Sequence, residues 1–292
     1  MRKILYYGVI LFLCFGVVLV FYRIKDYSGK AYNVKGSEDE SGAGVKQKVL
    51  IFSIDGKTSN GLKQWHLEGK AAEMIGSEIH LEDLDAIAYG DEYTVKLKSE
   101  KGIYNRAKSE VELTGNVKVT SDDGTILTTD VARWSQETRE ITTDSIVEIR
   151  RENMYAKGKG AMANSFEKKA ILLKDVTVRL EPRTEIFSDG YLEVKFNDNM
   201  AEFFENVRVS DKDGKLFSDA LTVYFDPDTR KIAKVVAKGN VKLLKGESYT
   251  LCEEAVYTDG TSSVKFIGKP RVVIDPNEIA ALGVLSKGGV VN

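Results

Sequence analysis

Cysteine, histidine and proline are scarce in this chain of 292 residues, with two, two and four copies. Two cysteines cannot staple a small scaffold, and Cys252 is alone in the body of the chain. So low a thiol count suits an oxidising compartment. His66 and His80 stand fourteen residues apart with no cysteine nearby, a poor start for a metal site. An excess of either charge is also missing: 42 basic side chains face 44 acidic ones, and the pI is about 5.9. With no basic cluster in the folded region, a nucleic-acid partner is excluded. No glycine-rich phosphate loop precedes a helix, and no Gly-x-Ser-x-Gly elbow occurs. Acid pairs of the kind that cleave sugars exist, Glu181 with Glu185 and Asp226 with Asp228. They fall in turns between strands, where solvation is their simplest role. No enzyme, metal or cofactor is expected.

One long hydrophobic run is present. From Ile4 to Tyr22 there are nineteen residues without a charge, roughly 28 Å of helix, enough to cross a hydrocarbon core. The run ends in Val20, Phe21, Tyr22 and Arg23, not in the small residues of a cleavage site. Residues 1–25 therefore read as an uncleaved transmembrane helix. The flanking charges barely discriminate orientation, but a short tail and a large C-terminal body place the body outside the membrane. Residues 26–47 mix glycine, serine and acids as a flexible linker.

From there on the dominant period is two. Val111, Leu113, Val117 and Val119 alternate with polar residues, as do Leu172, Val176 and Val178, and Val207 and Val209. Such alternation marks strands with one dry face. Asp123-Gly124, Asp189-Gly190, Asp213-Gly214 and Asp259-Gly260 supply turns.

The chain also repeats itself. The phrase Gly-Asn-Val-x-Val stands at Gly115–Val119 and, with leucine last, at Gly239–Leu243. Degenerate copies align their third positions at 84, 117, 147, 176, 207, 241 and 270, a spacing of 29 to 34 residues. A second phrase, polar then small, precedes most copies, as at Lys101-Gly102 and Asp219-Ala220. A fixed period in this range means stacked units that bury their faces on neighbours. Two strands per unit predict two facing sheets, each gaining one strand per unit. Seven rungs would then stand roughly 34 Å tall.

The ends of such a stack are open and carry unpaired backbone groups. Val49 and Ile51 mark the first edge; Val272 and Ile274, after Pro270, mark the last. Asp275-Pro276-Asn277-Glu278 resembles a helix start that would shield the far end.

Trp65-His66-Leu67, Gly102-Ile103-Tyr104, Leu113 to Val117, Leu127-Thr128-Thr129-Asp130 and Tyr155 to Gly160, behind a membrane segment, resemble the LptC family of the lipopolysaccharide export machinery. Phe217-Ser218-Asp219-Ala220 and Ala237 to Val241 are similar to the LptA/OstA domain. The resemblance implies an all-β, repeat-built β-jellyroll, with 48–182 LptC-like and 183–292 its LptA/OstA-like continuation. It implies a single-pass inner-membrane protein with a periplasmic body and no enzymatic activity. Its partners would be lipopolysaccharide, the membrane, subunits of an inner-membrane ABC transporter at the N-terminal edge and an LptA-like bridge protein at the C-terminal edge. LptC relatives of ordinary length stop after one such domain; the second half here either lengthens the bridge or replaces part of a separate LptA.

A conduit for acyl chains would rest on the inner-facing residues Leu113, Val117, Val119, Trp134, Val147, Leu172, Val176, Phe203, Val207, Val209, Phe217, Val241 and Leu243. Two other readings stay open: a structural stalk whose interior is closed, and a sugar-cleaving β-solenoid.

Overall fold

The computed structural model describes residues 47–57, 63–89, 94–164, 166–229, 231–259 and 263–276. The expected membrane helix, the linker and the C-terminal helix beyond residue 276 lie outside them. No helix among the described residues is long and apolar enough to cross a membrane.

The described chain is an antiparallel β-meander. It begins with β1 (Gln47–Lys57), β2 (Lys63–Ile75), β3 (Glu78–Tyr89), β4 (Thr94–Asn105), β5 (Glu110–Ser121) and β6 (Ile126–Ser135). It continues through β7 (Glu140–Arg151), β8 (Met154–Asn164), β9 (Lys169–Leu180), β10 (Thr184–Ser188), β11 (Leu192–Lys195) and β12 (Met200–Asp211). It closes with β13 (Gly214–Phe225), β14 (Ile232–Lys245), β15 (Ser248–Thr258), β16 (Ser263–Ile267) and β17 (Arg271–Val273). Each strand pairs with the next, except at two interruptions. Both β10 and β11 pair with β9 and with β12, so together they form one broken rung. The pieces β16 and β17 likewise share β15.

Nearly every rung is bent in the middle, and the repeated phrase is the bend. The residue before six of the seven aligned positions has a left-handed backbone: Asp83, Asn116, Asp175, Asn206, Asn240 and Lys269 lie at φ 47–53°. Asparagine, aspartate and glycine tolerate that conformation best. The ladder slips at the same places, between Thr114 and Val117, Phe204 and Val207, and Lys238 and Val241. These are β-bulges that turn the strand through a corner. A carboxylate on the preceding rung locks several of them. Asn240 Nδ2 donates to Asp219 Oδ2 at 2.9 Å, Asn206 Nδ2 to Asp189 Oδ2 at 3.1 Å, and Asn116 Nδ2 to Glu100 Oε1. Gly239 needs its missing side chain: φ is +75°, and a Cβ would collide with the Asp219 carboxylate.

Each rung therefore serves both sheets, one half in each of two wings joined along the corner. The expected arithmetic of one strand per sheet per unit is corrected: each wing gains two. Fifteen rungs at about 4.8 Å stand roughly 67 Å tall, twice the sequence expectation. The turns stack in two rows along the outer rims. Asp122 N donates to Thr94 O at 3.2 Å and Glu181 N to Asn153 O at 2.8 Å on one rim. Arg106 N to Ser77 O at 2.9 Å and Phe196 N to Lys168 O at 3.0 Å tie the other.

The wings close on each other over two hydrophobic clusters. One gathers Phe52, Leu84, Val95, Leu97, Leu113, Val117 and Val119; the larger runs from Val147 to Ala255.

Candidate functional site

Following cross-strand partners rung by rung traces the inner face. In the first wing one row reads Ile54, Leu67, Ala86, Leu97, Val119, Leu127, Ile149 and Ala156. It goes on through Val178, Ile186, Val209, Leu216, Leu243, Thr250 and Val272. Thr250 is its only polar member. In the second wing the facing row reads Met74, Ile79, Tyr104, Val111, Trp134, Ile141 and Ala163. Ala170, Val194, Ala201, Val223, Val235, Tyr257 and Val264 complete it. Partners directly opposite share a face, so these are two apolar rails running the length of the stack.

Burial changes along the rails. Val178 and Ala201 are wholly buried, while Ile54 at one end and Val272 at the other are 37% and 56% exposed. The middle is filled by the chain's own side chains, while the rails are exposed at both ends of the described residues.

The sequence-derived residues distribute over this interior. Val117, Val147, Val176, Val207 and Val241 form a fully buried row beside the corner. Leu113, Leu172 and Phe203 lie buried near it in the second wing. Val119, Val209 and Leu243 belong to the first rail, and Trp134 to the second. Phe217 is a correction. It sits opposite Arg208 and Lys242, on the outer face. Its neighbour Leu216 points inward instead, because the bulge at Ser218–Asp219 shifts the alternation by one. The alanines of the second rail escaped sequence reading, since alanine contributes little to a hydrophobic alternation.

The described stack ends in β1 at one side and in β16 and β17 at the other. Val49 is half-buried against the smaller cluster, and Ile51 is 78% exposed at φ +61°. It is the corner of the first rung, with Phe52 in the buried aligned position, an eighth copy of the repeat. Val272 and Ile274 are exposed on the last rung. Apart from their bonds to β2 and to β15, the edge strands β1, β16 and β17 have no strand partner among the described residues.

Charge lies mostly outside, apart from Arg151 and Asp123, a largely buried pair 3.3 Å apart at the rim. Lys157 Nζ lies 3.2 Å from Glu148 Oε1, and that hydrogen bond holds the Glu148 carboxyl below its ordinary range. Glu202, 2.7 Å from Lys195, raises the lysine. Cys252 lies on the inner face opposite Val241, and burial pushes its thiol up. His66 bridges Asp55 at 2.6 Å and Glu68 at 3.3 Å, whereas His80 binds Glu78 on the other wing. The two histidines do not meet. Of the acid pairs, Glu185 lies within β10 instead of a turn and holds Arg179 at 2.7 Å, and Asp226 accepts the Thr229 amide at 2.7 Å within its own turn. Among the described residues no group of three or more metal-binding side chains occurs.

Two family profiles match the chain. The one described as lipopolysaccharide-assembly, LptC-related covers residues 9–181. The one described as LptA/(LptD N-terminal domain) LPS transport protein covers 185–284. No curated protein matches. Among solved structures, LptH from Pseudomonas aeruginosa, described as the LptA homologous periplasmic component of the conserved lipopolysaccharide transport device, is similar at 14% identity. The alignment covers 42% of this chain and 95% of that one, with a TM-score of 0.36.

Proposed function

The chain belongs to the LptC-related lipopolysaccharide-assembly family, and from that premise we propose that it carries lipopolysaccharide along its interior. The lipid arrives from an inner-membrane ABC transporter at the β1 edge and leaves to an LptA-like bridge protein at the β16–β17 edge. The observation that carries this reading is the pair of apolar rails, interrupted only at Thr250, which cross both matched segments. In this reading residues 4–22 anchor the chain in the inner membrane and the body stands in the periplasm.

The energetics favour such a track. A fourteen-carbon acyl chain exposed to water costs roughly 10 kcal/mol, so a carrier needs continuous apolar cover. The sealed middle is compatible with passage. An acyl chain that parts the wings replaces one apolar contact with another, an exchange close to neutral. Passage joint to joint occurs by strand addition at the open edges.

Photo-crosslinkers at Val119, Val209 and Leu243 should capture lipopolysaccharide, and those at Lys118 and Arg208 should not. Capture from the outer positions alone would overturn the conduit. One observation favours a second reading, a structural stalk: the complete burial of Phe203, Val178 and Ala201 by the chain's own side chains. Native mass spectrometry separates the two, because a stalk carries no bound lipid.

A further inference from the structure

The outer face of the first wing changes character along the stack. One outer row runs Phe187, Arg208, Phe217, Lys242, Leu251 and Arg271. The row beside it, nearer the rim, runs Ser210, Lys215, Leu244, Tyr249 and Val273. From β12 to β17 these rows hold four cations and no carboxylate. At the other end of the same face the rows mix both signs, Asp55, Glu68 and Asp85 with Lys96, Lys98 and Lys118. Arg208 is engaged by Asp189 at the corner. Lys215, Lys242 and Arg271 make no ion pair among the described residues, and Lys242 Nζ lies 5.3 Å over the Tyr249 ring.

We propose that this cationic, aromatic face of β12–β17 docks the phosphorylated saccharide head of lipopolysaccharide while its acyl chains lie between the wings. The proposal rests on the conduit reading. Charge complementarity is the first argument: uncompensated lysines and arginine face an anionic head. Spacing is the second. Lys215 and Lys242 are diagonal neighbours about 7–8 Å apart. Lys242 and Arg271 stand two strands apart, about 10 Å. That is a rake able to hold separate phosphates. Position is the third: Lys215 follows Gly214 and Tyr249 follows Ser248 at the rim turns, where a head group leaving the interior emerges. A bilayer fits less well. Phe217, Leu244, Tyr249 and Leu251 are each half-buried among their neighbours, presenting flat flanks instead of side chains that insert.

The test uses the full chain and, as probe, fully deacylated lipopolysaccharide that keeps its phosphates. Binding is expected to weaken tenfold or more in Lys215→Glu/Lys242→Glu and on removal of the probe's phosphates. It should persist in Lys96→Glu/Lys118→Glu, a control at a distant part of the same face. Equal binding by both variants, or none by the parent chain, overturns the proposal. So does a double variant that keeps the oligosaccharide and loses only phosphatidylglycerol vesicles, which would make the face a bilayer contact. Acyl crosslinking from Val209 scores the conduit separately, since a failed rake leaves it intact and a failed conduit abolishes it.

Discussion

The stretch β1–β6 and the stretch β7–β17 are built from one repeat and packed differently. The first buries eight hydrophobic residues in its cluster and the second twenty. Leu127 is the one side chain packed against both. Between them the ladder opens: β6 and β7 pair up to Thr128 and Glu148, then resume only at Arg133 and Thr142. Ile146 takes the corner there without a left-handed residue before Val147 and is 48% exposed. The family profiles meet elsewhere, between residues 181 and 185, where β9 pairs with both pieces of the next rung, β10 and β11. Packing and ancestry divide this chain at different places.

Four experiments break or sharpen that contrast. Phe203→Ala, in the larger cluster, should cost about 3–5 kcal/mol, while Leu67→Ala at the open end should cost clearly less; urea unfolding measures both. Equal losses would erase the distinction. Gly239→Ala should cost about 1–3 kcal/mol, because it meets the Asp219 carboxylate, while Gly76→Ala, in an uncrowded turn, should cost about 1 kcal/mol. Amides of residues 129–132 and 143–147 should exchange before the rungs on either side in hydrogen-exchange mass spectrometry. Uniform protection would show that β6 and β7 are as firmly joined as the rest. Ile51→Asn should stabilise slightly, by about 0.5–1 kcal/mol, since asparagine accepts the left-handed backbone that a β-branched residue resists.

Much of this was legible in the residues. Alternation gave the inner rows, and the Gly-Asn-Val phrase gave the repeat. What the phrase meant was not legible. Two strands per repeat imply one for each sheet, but each strand bends at the phrase and serves both wings, so the stack is twice as tall as that arithmetic gives. Corners made from Ile51 and Ile146 carry no local signal at all, because neighbouring rungs impose them. Phe217 was assigned inward because a bulge inserts one residue and reverses every side chain beyond it. The second rail is rich in alanine, and its apolar character shows only once partners are lined up across rungs.

The pairing of β10 and β11 with β9 on one side and β12 on the other has a consequence for stoichiometry. Where two separate proteins must find each other by diffusion and forfeit translational freedom at every encounter, here the LptC-like and LptA-like units meet within one polypeptide. They are present in equal number by covalent necessity, and dilution cannot part them.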